Sequence, residues 1–270
     1  MKQKYIKQIS GAIGITILER SINGITKKVI IFADNHNNSN YCGESFSTSY
    51  NIIKLLEKKK YNSHILLEEV KRSNNSKLKE LWSSNEHTVE LKNFYLNNTS
   101  TITPIDIRQY LYVVSWELLD DKTREFTMKK LLDNFIKFFK YSDIIPDFKE
   151  KIGKVFFKKT GICKYYFKLK SEFNKNLKKF DLSEKIKDHI SKYNLIYLSQ
   201  IDDIASKIMD LYTIINIFIT KEKTYIHAGL FHTSNIIDIL LEEFGFSKQY
   251  ETGTTNFNNL TDIKSCIHIT

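Results

Sequence analysis

Short apolar runs rich in β-branched residues alternate along this chain with longer segments of helical periodicity. Two of these runs, 13–18 and 29–32, flank Asn23-Gly24, and both residues of that dipeptide accept the positive φ of a tight turn. We therefore predict a β-hairpin at the start of the domain. Its second strand is apolar on both faces, as expected for a strand covered on both sides of a sheet, and it ends at Asp34.

The segment after the hairpin has the order of elements found in parallel sheets. Residues 47–60 and 76–96 show helical spacing of apolar residues, and residues 64–70 between them form a second buried run. A short third strand is predicted at 102–107, where Pro104 indicates an irregular or edge position. This alternation is typical of βαβ units.

The middle of the chain has no strand signals. From residue 111 to 195, apolar and aromatic residues recur at helical intervals between lysines, which predicts several amphipathic helices. Residues 196–220 form the most apolar helical segment, in which Asp210 is one of few charges. We expect this last helix to be largely buried.

A final strand, turn and helix are predicted at 224–228, 229–233 and 234–244. The whole pattern predicts a single α/β domain over residues 1–270, with a lysine-rich helical insertion at 111–195. Its core would be a mostly parallel central sheet with an N-terminal β-hairpin and with helices on both faces.

Polar residues interrupt the apolar runs where the predicted strands end. In a mostly parallel sheet these carboxyl ends lie along one edge, which is where open α/β sheets bind ligands. Asp34 and His36 follow the first core strand, Glu68 ends the second, and Arg108 ends the third. His232 follows the last strand. We therefore predict that these side chains share one pocket.

The predicted pocket combines imidazoles with carboxylates. Asp34, His36, Glu68 and His232 offer the ligand types that suit one divalent Zn, Mn, Co or Fe ion. Such an ion would lower the pKa of bound water to about 7. Without metal, an imidazole held by a carboxylate can act as a general base, and Arg108 can hold an anionic substrate or stabilise an oxyanion.

His36, Glu68, Arg108 and His232 are thus the candidate catalytic residues, and the residues alone leave both mechanisms open. A buried ion-pair network that only organises the sheet edge is the structural alternative. Asp210 is expected either to support the pocket from behind, through Arg108, or to cap a loop.

The remaining histidines carry less functional signal. Within the last strand, we expect His227 to be a hydrogen-bonded core residue rather than a ligand. His64 begins a predicted strand and His87 lies in a polar helix, whereas His189 and His268 have no acidic or histidine neighbours at useful spacing. We expect all four on the surface.

The predicted insertion carries much of the positive charge of the chain. The chain has 41 basic and 31 acidic residues, and much of the excess lies between Lys122 and Lys192. No zinc-finger or RNA-recognition signature accompanies these lysines, and there is no GxGxxG or P-loop motif, so specific nucleic-acid reading and nucleotide binding are not predicted. A solvated lysine-rich surface is the simplest interpretation. A binding surface, for nucleic acid or another partner, is the alternative.

The three cysteines, Cys42, Cys163 and Cys266, are widely spaced and odd in number. They predict neither a disulfide framework nor a cysteine zinc site, which favours a reducing, cytoplasmic compartment. No apolar run reaches the roughly 20 residues of a membrane-spanning helix, so we expect no membrane span. The lysines and short apolar run at the start of the chain are interpreted as folded structure rather than as a signal peptide.

Four segments in this order resemble the Tiki/TraB, ChaN and erythromycin-esterase superfamily; they are 30–36, 66–68, 105–108 and 226–232. Members carry an acid-x-histidine motif after the first core strand, which Asp34 and His36 match. They also carry a glutamate after the second strand and a glycine-x-x-histidine motif after the last, which are matched by Glu68 and by Gly229 with His232. Ala33 departs from the glycine that usually precedes the acid.

A closer likeness is to uncharacterised proteins of large double-stranded DNA viruses, which share Cys42 and the helix motif Met209–Tyr212. The resemblance implies a hydrolase with a small-molecule or peptide substrate, and metal-dependent proteolysis, ester hydrolysis or haem binding in different members. If the protein is viral, it would act in the host cytoplasm or the virion. The alternative is a non-catalytic virion or host-interaction protein that binds its partner through residues 111–195.

Overall fold

The computed structural model of this chain describes residues 8–22, 24–36, 42, 49–70, 86–111, 121–141, 144–145, 147–156, 161–220, 223–258 and 266–269. The chain forms two compact units. The first, which we call the sheet unit, comprises residues 1–105 and 220–270, and the second, the helical unit, comprises residues 106–219. The predicted insertion at 111–195 lies within the helical unit.

Within the described ranges, the strands form a six-stranded sheet and a smaller three-stranded sheet. In chain order they are β1 (Gln8–Ser10), β2 (Gly14–Ile22), β3 (Ile25–Asp34), β4 (Ser49–Asn51), β5 (His64–Val70), β6 (Ile102–Asp106), β7 (Thr224–Gly229), β8 (Ser247–Gly253) and β9 (Cys266–His268). The larger sheet has the order β6-β5-β7-β3-β2-β8 and the smaller one β4-β1-β9. Pro104 therefore lies in an edge strand, as predicted.

The central strands of the larger sheet are parallel, and the strands toward one of its edges are antiparallel. β7 lies between β3 and β5 and runs parallel to both. β2 pairs antiparallel with β3 and β8, and Ile22 pairs with Ile25 across the predicted turn, where Gly24 has a φ of +79°. The hairpin and the mostly parallel sheet are thus confirmed.

Helices cover both faces of this sheet, as predicted. Successive side chains of a strand point to opposite faces. Phe32 packs in a core cluster with residues of α1 (Ile52–Lys59) and α2 (Glu86–Leu96), whereas the adjacent Ala33 packs against Leu230 of the helix that follows β7.

Two local predictions are wrong. The helix after β7, α9 (Leu230–Glu242), begins immediately after Gly229, where we predicted a turn up to residue 233. Thr233 and Ser234 resemble helix caps in the sequence, but the Thr233 hydroxyl instead donates back to carbonyls of residues 229 and 230 inside the helix. In addition, residues 49–51 form strand β4 rather than the start of α1. Of the predicted helix 76–96, residues 76–85 lie outside the described part.

The helical unit has an aromatic core. After a 3₁₀ turn at Arg108–Leu111, its helices are α3 (Asp121–Arg124), α4 (Met128–Tyr141), α5 (Phe148–Phe156), α6 (Ile162–Leu177), α7 (Ile186–Tyr193) and α8 (Ile196–Ile219). Phe138 packs edge-on against Phe148 and Tyr166, and α8 is largely buried as predicted. None of the helices in the described ranges is long and apolar enough to cross a bilayer.

The prediction that the cysteines form no disulfide is wrong. Cys42 is bonded to Cys266 of β9, across 224 residues of sequence, and Cys163 is free. Sequence spacing could not predict this pair, because its two cysteines are far apart in the chain and meet only in the folded protein.

A disulfide that closes so long a loop should stabilise the fold by restricting the unfolded chain. We expect Cys42→Ser to lower the free energy of unfolding by about 2–5 kcal/mol, measured by urea denaturation of the oxidised protein. Cys163→Ser is the matched control and should stay close to wild type. Equal unfolding curves for wild type and Cys42→Ser would contradict the disulfide.

Candidate metal and acid-base site

The parallel strands bring the site residues to the same edge of the sheet. Asp34, the last residue of β3, pairs with Gly229, the last residue of β7. On the other side of β7, Leu67 pairs with His227, so Glu68 follows one residue further along β5. The ends of three neighbouring strands thus place Asp34, Glu68 and Gly229 side by side along the same edge of the sheet.

His36 lies between two carboxylates. Its Nδ1 is 3.4 Å from Oδ2 of Asp34, and its Nε2 is 3.4 Å from Oε2 of Glu68. His36 also has a φ of +54°, in the left-handed region that residues other than glycine rarely occupy. Backbone strain of this kind persists where surrounding contacts hold it, and it is concentrated at functional sites.

Glu68 is fixed by the backbone of the neighbouring strand. Its Oε2 accepts a hydrogen bond of 2.6 Å from the backbone N–H of Gly229, and its Oε1 is 3.8 Å from Nε2 of His232. His232 lies in the first turn of α9 and is buried. The two carboxylate oxygens of Glu68 therefore connect His36 with His232.

The glycine at position 229 leaves room for this arrangement. A Cβ atom there would lie 2.5 Å from Nε2 of His36 and 3.3 Å from Oε2 of Glu68. Even the smallest side chain would displace the imidazole.

A second group extends the site into the protein interior. Asp34, His87 and His227 are all buried and each offers a ligand atom, and these atoms lie within 4.8 Å of one another. Nε2 of His87 is 3.4 Å from Oδ2 of Asp34. Asp34 therefore belongs to both groups.

The interior group contains polar atoms that need a partner. Within the described residues, Oδ2 of Asp34 and both ring nitrogens of His87 have no hydrogen bond of standard geometry. A buried polar group left in this condition costs about 1–3 kcal/mol. One divalent cation would satisfy Oδ2 of Asp34 and one ring nitrogen of His87, and two imidazoles with one carboxylate are a ligand set that suits Zn, Mn, Co or Fe. The residues present thus fit a metal ion.

Gly11 orients His227 and leaves room for His87. Nε2 of His227 is 3.2 Å from the carbonyl oxygen of Gly11, and because a carbonyl oxygen only accepts, this nitrogen must carry the proton. The lone pair of neutral His227 is then on Nδ1. Gly11 has a φ of +83°, and a Cβ there would lie 2.9 Å from Cε1 of His87. Such outer contacts fix the tautomer and orientation of metal-binding histidines.

The charges of the site are strongly coupled. Burial alone would raise the pKa of Asp34, but the His36 and His87 imidazoles outweigh it and hold this pKa well below its usual range. Burial alone would lower the pKa of His36, but Asp34 and Glu68 raise it to about 10. Burial lowers the pKa of His227. In the metal-free protein, His36 is therefore charged and His227 is neutral at pH 7.

The structure thus brings together Asp34, His36, Glu68 and His232, four of the five residues predicted to share a pocket. Arg108 is held by Asp106, whose two carboxylate oxygens accept its Nε–H at 2.9 Å and its Nη2–H at 3.0 Å. The substrate-binding role of Arg108 stays a prediction.

Asp210 is fully buried in α8 of the helical unit, and its proposed support of the pocket is likewise still a prediction.

Sequence reasoning missed the interior histidines. His87 was expected on the surface and is buried, as is His189 in the helical unit. The polar neighbours of His87 in α2 concealed its burial. His227 was recognised as a core residue, and its hydrogen bond to Gly11 agrees with that, but its position beside Asp34 was not foreseen. The available signal was a histidine inside an otherwise apolar strand.

Comparison with protein-family models, with curated proteins and with solved structures finds no match to this chain.

Gly229→Ala tests the close packing of His36. We expect this variant to lose about 1–3 kcal/mol of unfolding free energy, because the methyl group overlaps His36 and Glu68. Gly153→Ala, at a helical position in α5 with no atom within 4 Å of the added Cβ, is the control and should gain up to about 1 kcal/mol. Urea unfolding measures both. A Gly229→Ala protein as stable as wild type would contradict the described geometry.

The charge on His36 gives the metal-free protein a pH-dependent stability. Because its folded pKa is raised to about 10 from an ordinary value of 6.5, its contribution is complete below pH 6.5 and is lost as pH rises through 10. We expect the unfolding free energy of chelator-treated protein to fall over this window, and less steeply in His36→Gln. Parallel pH profiles for the two proteins would refute the charged state.

Proposed function

We propose that this chain is a metal-dependent hydrolase in which Asp34, His87 and His227 hold one divalent ion. The observation that carries the proposal is the buried group of two imidazoles and a carboxylate, in which Oδ2 of Asp34 and the ring nitrogens of His87 have no hydrogen bond of standard geometry within the described residues. Of the ligands expected from the sequence, Asp34 remains in this set. His36, Glu68 and His232 are assigned to proton handling beside the ion rather than to its coordination.

Three protein ligands of this type favour a catalytic ion over a structural one. Structural zinc sites usually have four protein ligands, whereas catalytic sites keep a position for water or substrate. When bound, the ion would lower the pKa of a water molecule to about 7 and polarise the bond to be cleaved.

The exposure of each imidazole indicates its role in the proposed acid-base chemistry. The side chain of His36 is 29% exposed, compared with 5% for His232 and 1% for His87. His36 is therefore the imidazole that can exchange a proton with a bound substrate. Glu68, which is fixed by the N–H of Gly229, orients both His36 and His232. An imidazole oriented by a carboxylate is a common arrangement for acid-base catalysis.

The motif order supports a place in the Tiki/TraB, ChaN and erythromycin-esterase superfamily. Asp34, His36, Glu68, Gly229 and His232 match its motifs, and all five lie at one edge of the sheet. Ester or peptide hydrolysis on a small substrate is the reaction class that this resemblance suggests.

The Cys42–Cys266 disulfide bears on the proposed compartment. Disulfides are rare in the reducing cytosol and persist in oxidising places such as secreted proteins and virion surfaces. Of the two compartments expected for a viral protein, we propose the virion.

Metal content and hydrolysis test the proposal together. We expect wild-type protein reconstituted with Zn, Mn, Co or Fe to bind about one ion, measured by mass spectrometry of the dialysed protein. His87→Ala and His227→Ala should weaken metal binding about 100-fold or more and should reduce hydrolysis of nitrophenyl ester and fluorogenic peptide probes in parallel.

His64→Ala is the matched control, because His64 is a half-buried histidine of the same sheet that contacts Thr103 and lies outside the site. It should keep both metal and activity. A wild-type protein that binds none of the four ions would overturn the metal site. An active protein unaffected by His36→Ala would overturn the role given to His36.

A further inference from the structure

The positive charge of this protein is concentrated in one short stretch of the helical unit. Residues 149–179 contain eleven lysines and two acidic residues, Glu150 and Glu172. The resulting charge of +9 nearly equals the +10 of the whole chain. The remaining residues are almost neutral overall, so any electrostatic attraction of an anion acts mainly through this stretch.

Several of these lysines lie along one exposed face of helix α6. Lys164, Lys168, Lys175 and Lys178 are exposed and follow helical spacing, with Ser171 between them on the same face. The opposite face of α6 is buried in the helical unit through apolar and aromatic side chains; these include Tyr165, Tyr166, Leu169 and Phe173. The helix therefore has its apolar side covered and its basic side open to solvent.

Several of these lysines are not neutralised by the protein itself. Elsewhere in the helical unit, Lys185 and Lys187 pair with Glu125. By contrast, no carboxylate among the described residues lies within 4.0 Å of the ammonium groups of four lysines on or next to α6; these are Lys164, Lys170, Lys175 and Lys178, the last at the C-cap. Their charge is available to an external anion.

A shallow groove combines these cations with an exposed aromatic ring. It has a volume of about 370 Å³ and is lined by Phe167, Lys170, Ser171, Asn174, Lys175 and Lys178. Phe167 is 54% exposed, which is unusual for a residue of this size in a helix with a well-formed core face. Ser171 and Asn174 add hydrogen-bond donors between the cations and the ring.

We propose that this groove binds single-stranded nucleic acid without sequence specificity. The lysines contact successive phosphates, and Phe167 stacks on an unpaired base, which is the combination that single-strand binding surfaces use. The proposal is independent of the hydrolase site.

Other anionic partners fit this groove less well. In a duplex the bases are already stacked on one another, so Phe167 would have no base to contact. An amphipathic helix that binds a membrane needs an exposed apolar face, and the apolar face of α6 is buried.

Binding of a labelled single-stranded oligonucleotide of about 20 nucleotides, measured by fluorescence anisotropy at about 50 mM salt, tests the proposal. We expect the triple variant Lys170→Gln, Lys175→Gln, Lys178→Gln to lose about 10-fold or more in affinity. It should also reduce the slope of log affinity against log salt by about 2.

The charge-matched control is Lys185→Gln, Lys187→Gln, Lys192→Gln, which removes three lysines that pair with Glu125 and Glu184. It should keep near wild-type affinity, and circular dichroism should show that both triple variants are folded. An equal loss in the control would overturn the groove, because total charge would then explain binding.

Phe167→Ala separates stacking from charge. We expect it to weaken single-strand binding about 5- to 150-fold, the range measured for loss of base stacking, with an unchanged salt slope. Unchanged affinity in this variant would overturn the role of Phe167. Absence of oligonucleotide binding, tighter binding to duplex, or preferential binding to vesicles of phosphatidylserine and phosphatidylcholine would overturn the proposal as a whole.

Discussion

The buried carboxylate of Asp34 is the constraint around which the site is organised. A negative charge placed at the end of an interior strand is costly unless other groups compensate it. Two histidines contact it, His36 on the accessible side and His87 on the interior side, and neutral His227 completes the interior group. The same charge that requires these partners also makes the interior group suitable for a cation.

Backbone positions decide whether those partners can approach. β7 lies between β3 and β5, so the N–H of Gly229 holds Glu68 while the absence of a Cβ admits His36. Gly11 plays the corresponding part on the interior side, with a carbonyl that fixes His227 and a bare Cα against His87. The two glycines therefore shape the site as much as its charged residues do, because each combines a backbone contact with space for an imidazole.

The sequence was sufficient for the fold class and for the residues at the strand ends. Apolar runs alternating with helical segments implied a mostly parallel sheet, and such a sheet aligns the carboxyl ends of its strands. Asp34, His36, Glu68 and His232 could be assigned to one edge for this reason, without knowledge of any contact. The helical character of the middle of the chain and the burial of α8 followed equally from the spacing of apolar residues.

Only the tertiary structure decided how deep the site extends and which groups complete it. His87 lies on a helix with polar neighbours, and its burial depends on where α2 packs rather than on its own sequence. The pairing of Cys42 with Cys266 depends in the same way on tertiary structure, because 224 residues of sequence separate the two cysteines. Local periodicity determines an element and its faces, whereas contacts between distant segments are set by packing, which no local pattern encodes.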